Sequence, residues 1–345
     1  MKPAILLFLA AALCSPWPFA AGQCAGAEQQ LQTVSRALTS ETLDKAEQVL
    51  EAVEKSYPNC PESLLDHARL LALKGNAGEA AEAFARYQER APDDARGYAY
   101  LARFLLDQGR YQRADETSAL ALEKKPSEAS ALAVRGEILI MKGRVEEATN
   151  LLEQALQVDP DNVEANFQLG TLADGNKRHA EAAKHFEKVL AINEHDAQAW
   201  DYLALNVEVL GEVDRAQNAY LKGEAVNQPG RHFDSFLDYN YGRFLTKRNQ
   251  MKQAKQHLDH AVELTPEVRA VWYERAKVNL LMKNYADARD DAERAAALPD
   301  TQGIILDLQV YALLGQIYGR LGNQELSNKY DALSRAARVP VQERR

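Results

Sequence analysis

The same residue types return every 34 residues along most of this chain, and this spacing constrains the fold more than any other feature. Four prolines keep the interval: Pro58, Pro92, Pro126 and Pro160. A small residue keeps it too, with a four-residue insertion after the sixth copy and a ninth copy that is out of phase by five residues and carries a serine: the positions are Ala46, Ala80, Ala114, Ala148, Ala182, Ala216, Ala254, Ala288 and Ser327. A repetitive chain of 345 residues grows by adding one unit to the next and needs no single large core.

Each copy is predicted to be a pair of antiparallel helices. A second small residue lies twelve positions before the first in every copy from the second onward: Ala68, Ala102, Gly136, Gly170, Ala204, Gly242, Ala276 and Gly315. Larger apolar residues surround these positions at spacings of three, four and seven, which is the helical period. Small residues let two helix axes approach where they cross. The first helix is predicted to end at Gly109, Gly143, Gly211 and Gly322, and the second at the repeated proline.

This pattern resembles the tetratricopeptide repeat family. The best copies read Tyr98-x2-Leu101-Ala102-x2-Leu105…Ala114…Pro126, Leu132-x3-Gly136-x2-Leu139…Ala148-x3-Leu152-x2-Ala155…Pro160 and Trp200-x2-Leu203-Ala204…Ala216-x3-Tyr220. The resemblance implies an all-α fold, a right-handed superhelical solenoid of antiparallel helix pairs over residues 23–337. We predict about nine repeats, near 28–60, 61–94, 95–128, 129–162, 163–196, 197–230, 235–268, 269–302 and 308–337.

Residues 1–22 are predicted to be a signal peptide. Lys2 precedes the apolar run Ala4–Leu13, which is too short to span a bilayer, and small residues suited to cleavage follow it. The chain is therefore expected to be exported, either periplasmic or secreted, and no later stretch resembles a transmembrane span. An outer-membrane lipoprotein acylated at Cys24 is the alternative, although Gln23 fits that signal poorly. The tail 338–345 is expected to be disordered.

Two cysteines outside the signal peptide can form a disulfide. Cys24 precedes the first predicted helix and Cys60 follows the second, and antiparallel partners bring such ends together. An oxidising compartment would allow the bond. The alternatives are two unrelated thiols, or cleavage after Ala27, which would leave Cys60 alone.

The sequence indicates no enzyme and no cofactor. It contains no Gly-x-Ser-x-Gly elbow, phosphate loop or dinucleotide fingerprint. His257 and His260 can share a metal on one helix face, but two imidazoles without a third ligand are more simply exposed helix histidines, so no metal site is predicted. The net charge of −9, without a basic stripe, argues against nucleic acid as a partner.

The family resemblance implies that the first helix of each repeat faces a concave groove that binds a protein or peptide partner. Basic residues are expected at the two ends of this groove and acidic residues in its middle, with aromatic anchors between them. The residues predicted to contact a partner are Arg69, Arg103, Phe167, Tyr239, Arg243, Lys247, Tyr273 and Lys277. The family's clamp for a C-terminal carboxylate is not recognisable.

The predicted function is an exported protein–protein interaction scaffold. Its one irregularity is the insertion Asn227–Asp234, which is either a binding loop or a longer connection without function. Self-association is the main alternative, in which the chain is a structural component that stacks through apolar residues such as Tyr330 and Leu333 on its last helix. An enzyme on a helical-repeat frame is the third and weakest hypothesis.

Overall fold

The computed structural model describes residues 24–58, 60–229, 231–300 and 303–338. The signal peptide predicted at 1–22 and all of the predicted tail except Arg338 lie outside these residues. Within them the chain is all-helical and has eighteen α-helices. They are α1 Glu28–Thr39, α2 Leu43–Ser56, α3 Pro61–Leu73, α4 Ala77–Arg90, α5 Ala95–Asp107, α6 Tyr111–Lys124, α7 Ala129–Met141, α8 Val145–Val158, α9 Val163–Gly175, α10 His179–Ile192, α11 Ala197–Val209, α12 Val213–Val226, α13 Leu237–Lys247, α14 Met251–Leu264, α15 Arg269–Leu281, α16 Tyr285–Ala297, α17 Asp307–Arg320 and α18 Gln324–Ala337.

The helix ends follow the repeated turn residues. Pro58, Pro92, Pro126 and Pro160 each lie two residues beyond the last residue of a second helix. The turn after the first helix needs one residue in the left-handed region, and Gly143 (φ 74°) supplies it after α7. Lys177, Asn249 and Lys283 take the same conformation at the same turn in other repeats, with φ of 59°, 60° and 65°. The repeat therefore imposes this backbone conformation even where the sequence offers no glycine.

The small residues of the repeat mark the crossing of the two helices. All eight alanines of the 34-residue series are fully buried, and Ser327 is nearly so. A Cβ atom added to Gly136 would lie 2.7 Å from Leu152 Cγ, and one added to Gly242 would lie 2.7 Å from Leu258 Cγ. The paired helices therefore approach until a single methyl group is too large for the gap.

The chain forms two compact units. The first holds the described residues up to Leu169 together with Ala191–Glu194, and the second holds Gly170–Leu190 and the described residues from His195 onward. Aromatic side chains fill the core of each unit. In the first, Phe84 packs against Phe104 with ring centroids 5.7 Å apart. In the second, Tyr220 stacks on Tyr241 at 5.0 Å.

Candidate protein-interaction surface

The first helices of the repeats form the more closely packed layer in each unit. In the first unit α3 packs on α5 and α5 packs on α7. In the second unit α11 packs on α13, α13 on α15 and α15 on α17. Among the described residues, no comparable contact joins two second helices of one unit, which are α2, α4, α6 and α8 in the first and α12, α14, α16 and α18 in the second. Side chains exposed on the first helices therefore share one face in each unit.

Arg69 and Arg103 on this face of the first unit are largely occupied by neighbouring side chains. The Arg69 side chain is 11% exposed, donates to Asp66 Oδ1 at 2.9 Å and lies over the Tyr100 ring at 4.1 Å. Arg103 donates to Glu137 on α7 and to Asp107. Both arginines therefore hold neighbouring elements together. Phe167, on α9, is half-buried.

In the second unit the predicted residues on α13 and α15 include the most exposed members of the set. The Lys247 side chain is 60% exposed and Nζ lies 2.5 Å from Glu208 Oε1. Lys277 Nζ lies 2.7 Å from Glu274 Oε2 and 5.5 Å from the centroid of the half-buried Tyr273 ring. Each ammonium group thus has one carboxylate neighbour and a remaining face towards solvent.

Tyr239 and Arg243 lie deeper on the same face. Tyr239 is buried, and this burial raises the pKa of its hydroxyl to about 12, so the group is a neutral donor or acceptor at physiological pH. Arg243 is half-buried, and its Nε has no hydrogen-bond partner among the described residues. Arg243 on α13 and Lys277 on α15 are 34 residues apart and occupy equivalent positions on helices that contact each other.

A disulfide joins Cys24 and Cys60 in the first unit, with their Cα atoms 4.9 Å apart. Cys24 lies before α1, and Cys60 is the residue that precedes α3. Burial raises the pKa of the neighbouring Glu62, whose Oε2 lies 2.6 Å from Cys24 Sγ. Among the described residues, these three form the one grouping of three metal-binding side chains, and the disulfide occupies both sulfurs.

His257 and His260 face a carboxylate. Their Nδ1 atoms lie 2.7 Å and 2.6 Å from the two oxygens of Asp238, which lies in the first turn of α13 and is buried. Although burial acts in the opposite direction, these two hydrogen bonds hold the pKa of Asp238 below its ordinary value of 3.8. The pair of histidines therefore fastens α14 to α13. Nothing in the spacing of His257 and His260 could have identified this partner, which lies nineteen residues before the first of them.

We expect Asp238→Asn to lower the free energy of unfolding by about 1–3 kcal/mol near neutral pH, because an amide cannot accept from both imidazoles. Asp238 contributes fully to stability above pH 3.8, which is its pKa in the unfolded chain. This contribution is lost as the pH falls through the lower pKa of the folded chain. The free energies of unfolding of wild type and variant, measured with urea, should therefore converge at acid pH. Asp290→Asn is the matched exposed control and should change stability by less than about 0.5 kcal/mol. A loss of stability in Asp238→Asn that is the same at acid pH as at neutral pH would contradict this role.

Within the described residues, no helix is long and apolar enough to cross a membrane. Antiparallel helix pairs that repeat along the chain, with the first helix of each pair in the closely packed layer, define a helical-repeat protein of the solenoid class.

Sequence profiles place it within that class. Profiles described as tetratricopeptide repeat match residues 31–95, 101–149, 139–205 and 245–302, more than half of the chain. The chain belongs to the tetratricopeptide repeat family. No curated protein matches the sequence.

Solved structures share the fold. The crystal structure of the APC/C hetero-tetramer Cut9–Hcn1 has a TM-score of 0.62 at 17% identity, over 90% of this chain and 59% of that one. This chain thus spans less than two thirds of that protein. A tetratricopeptide repeat protein from Parabacteroides merdae has a TM-score of 0.47 at 16% identity, over 72% of this chain and 95% of that one. YrrB, described as a TPR protein with an unusual peptide-binding site, has a TM-score of 0.41 at 25% identity, over 55% and 96% of the two chains.

Proposed function

We propose that the chain is an exported scaffold that binds a protein or peptide partner on the first-helix face of its second unit. The observation that carries this proposal is the group of cationic and aromatic side chains on the adjacent helices α13 and α15. Arg243, Lys247, Tyr273 and Lys277 project from this face with part of their surface open to solvent. Arginine and tyrosine are the side chains that most often supply binding energy at protein interfaces.

The charges on this face are suited to fixing the alignment of a bound segment along the helices. Lys247 and Lys277 each have an acidic neighbour, Glu208 and Glu274, on the same face. The two lysine side chains are 60% and 36% exposed, so a partner can reach their ammonium groups, whereas the side chains of Glu208 and Glu274 are only 13% and 6% exposed and keep the lysines in place. Charges of alternating sign select the alignment of a bound segment more than its affinity. A partner segment with its own ordered charges is therefore the occupant that this face favours.

Export is the second part of the proposal. It rests on the apolar run Ala4–Leu13, and the Cys24–Cys60 disulfide supports it because such bonds persist in oxidising compartments. The disulfide also weighs against the lipoprotein alternative, since one Cys24 sulfur cannot carry both an acyl glyceride thioether and a bond to Cys60. Mass spectrometry of the protein from its native envelope tests this: a lipid on Cys24 would overturn the disulfide-linked exported form.

The binding proposal is tested by charge reversal. The mature protein is cross-linked in an extract of its source cells, and captured proteins are identified by mass spectrometry. We expect a reproducible partner to be lost with Arg243→Glu/Lys247→Glu, because two cations at the proposed contact become anions. Circular dichroism should show unchanged helical content.

Two further variants complete the test. Since Arg243 is half-buried, Lys247→Glu/Lys277→Glu probes the same face through more exposed groups. Lys142→Glu/Arg144→Glu makes an equal charge change at an exposed turn of the first unit and should leave binding intact. Partner capture that survives both reversals on α13 and α15 would exclude this face. Recovery of the protein itself alone would favour self-assembly instead.

A further inference from the structure

The segment Arg231–Phe236, which leads into α13, is tied into a compact turn. The Asn227 side chain donates from Nδ2 to the Asp234 carbonyl and accepts from the Asp234 amide, both at 2.8 Å. The Phe236 amide donates to Asp234 Oδ1 at 2.7 Å. Asp234 itself is buried. We call residues 231–236 the docked segment.

The docked segment is fastened to α11 at three points. Gln198 Nε2 donates to the Phe233 carbonyl at 3.1 Å. His232 Nδ1 lies 3.0 Å from Asp196 Oδ2, at the residue that precedes α11. At the third point, the Asp234 carboxyl group faces the carboxyl group of Asp201 on α11.

Asp201 is 4% exposed, and its two oxygens have different surroundings. Oδ2 accepts a hydrogen bond from Asn240 Nδ2 at 2.7 Å, whereas Oδ1 accepts none from any N–H or O–H group of the described residues. Two ionised carboxylates in such a buried position would repel each other strongly. One proton shared by the pair removes the repulsion and gives Asp201 Oδ1 its partner.

Other charged and titratable groups surround the pair. Burial is the main cause that raises the pKa of both acids, and Asp234 adds to the effect on Asp201. The positive charge of Arg243 on α13 lowers the pKa of Asp201, whereas the negative charge of Asp196 raises the pKa of Asp234. The hydroxyls of Tyr202 and Tyr220 also face this cluster, and their own pKa values are raised by burial. The Arg243 guanidinium is the cation that acts on Asp201, and His232, 3.0 Å from Asp196, is a second cation when its imidazole is protonated.

We propose that the Asp201–Asp234 carboxyl pair is a proton-operated latch, which fastens the docked segment to α11 beside the candidate contact residues Tyr239 and Arg243. At lower pH the shared proton holds the segment closed. As pH rises and the pair loses this proton, the two carboxylates repel and the segment is released. His232 acts in the same direction, because its attraction to Asp196 weakens when the imidazole is neutral.

The latch gives the proposed binding face a pH dependence, and this consequence rests on the proposed function. While Asp201 is protonated, it does not place a full negative charge beside the Arg243 guanidinium. The guanidinium is then available to an acidic group of a partner. Once ionised, Asp201 competes for Arg243. Binding through Arg243 is therefore expected to weaken as the pair ionises.

Hydrogen exchange with mass spectrometry on the full chain tests the latch without any partner. The amides of 231–236 are followed over a pH series, each rate divided by the intrinsic rate at that pH, with α15 as internal reference. We expect wild-type exchange to accelerate by up to about tenfold per pH unit between the ordinary carboxyl pKa of the opened segment and the raised pKa of the closed pair, since opening releases one proton there, and to level off above that range. Asp201→Asn should stay protected throughout, because its amide can donate to Asp234 while still accepting from Asn240.

Asp234→Asn is the second variant, since its amide oxygen can still accept from the Phe236 amide. It too should abolish the pH dependence. A flat wild-type profile, or one that both variants reproduce, would overturn the latch. Because this readout needs no binding partner, its failure leaves the proposed scaffold function standing, and failure to capture a partner leaves the latch standing.

Discussion

Replacing Leu152 by proline is expected to unfold the helix pair α7–α8 at the end of the first unit, in the middle of the repeat array, at a cost above about 3 kcal/mol. Leu152 lies in the second half of α8 and is fully buried against the gap left by Gly136. Proline there removes a helical N–H and drives its ring towards the carbonyl four residues earlier, which belongs to Ala148. It also deletes a leucine side chain that fills the crossing of α7 and α8, and such losses alone cost about 2–5 kcal/mol. Urea unfolding followed by circular dichroism measures the effect.

Alanine substitutions separate the two contributions to this result. Leu152→Ala keeps the helix and removes only the core packing, so it should cost about 2–5 kcal/mol. Leu120→Ala, on the neighbouring helix α6, makes the same chemical change at a side chain that is 44% exposed. It should cost less than about 0.5 kcal/mol. Equal effects at Leu152 and Leu120 would contradict the assignment of Leu152 to the helix crossing.

Removing the Cys24–Cys60 bond is expected to have the second largest effect, centred on the first helix pair. The bond closes a sequence separation of 36 residues, which in the chain-entropy account is worth about 4 kcal/mol. It ties the turn before α1 to the start of α3, and α1 packs on both α2 and α3. Without the bond, α1 should open and exchange its amide hydrogens faster, while helices of the second unit should not change.

The double variant Cys24→Ser/Cys60→Ser is preferred for this measurement. Serine is close to cysteine in size and cannot re-form the bond, so the variant removes the cross-link with little change in packing; unlike the disulfide sulfurs, its hydroxyls can donate to the buried Glu62 carboxyl, which would offset part of the loss. Wild type treated with a dithiol reductant should match the variant, and the reductant should not affect the variant further. If α1 in reduced wild type exchanged as slowly as in the oxidised form, the disulfide would have no structural role.

Much of the fold could be predicted because a repeat states the same packing rule many times. The alanine series and the second small position predicted which residues meet at each crossing, and the structure buries them there. Gly136 and Gly170 belong to the same series as Ala68, so one register explained them all. Local chemistry was equally informative at the helix ends, where proline and glycine act on their own backbone.

The binding face could be predicted only as a set of positions. Arg69, Arg103 and Lys247 all satisfied the same phase rule, yet their side chains are 11%, 16% and 60% exposed. The difference depends on residues far along the chain. Tyr100 covers Arg69 from the next repeat, and Glu137 engages Arg103 in the same way. Periodicity assigns a direction to a side chain, but whether that side chain is free depends on what its spatial neighbour supplies.

The sequence by itself determined the class of fold, since a 34-residue period of small, large and turn-forming residues leaves stacked antiparallel helix pairs as the arrangement that buries them. Tertiary structure alone decided the pKa values of the buried acids Asp201, Asp234 and Asp238. Asp201 and Asp234 read as ordinary polar residues in the sequence, and Asp238 reads no differently. Burial and facing carboxyls raise the pKa values of the first two, while two histidine hydrogen bonds lower that of the third. The physical reason is that repeat patterns act through local, short-range packing, whereas a charge responds to every group that surrounds it in space.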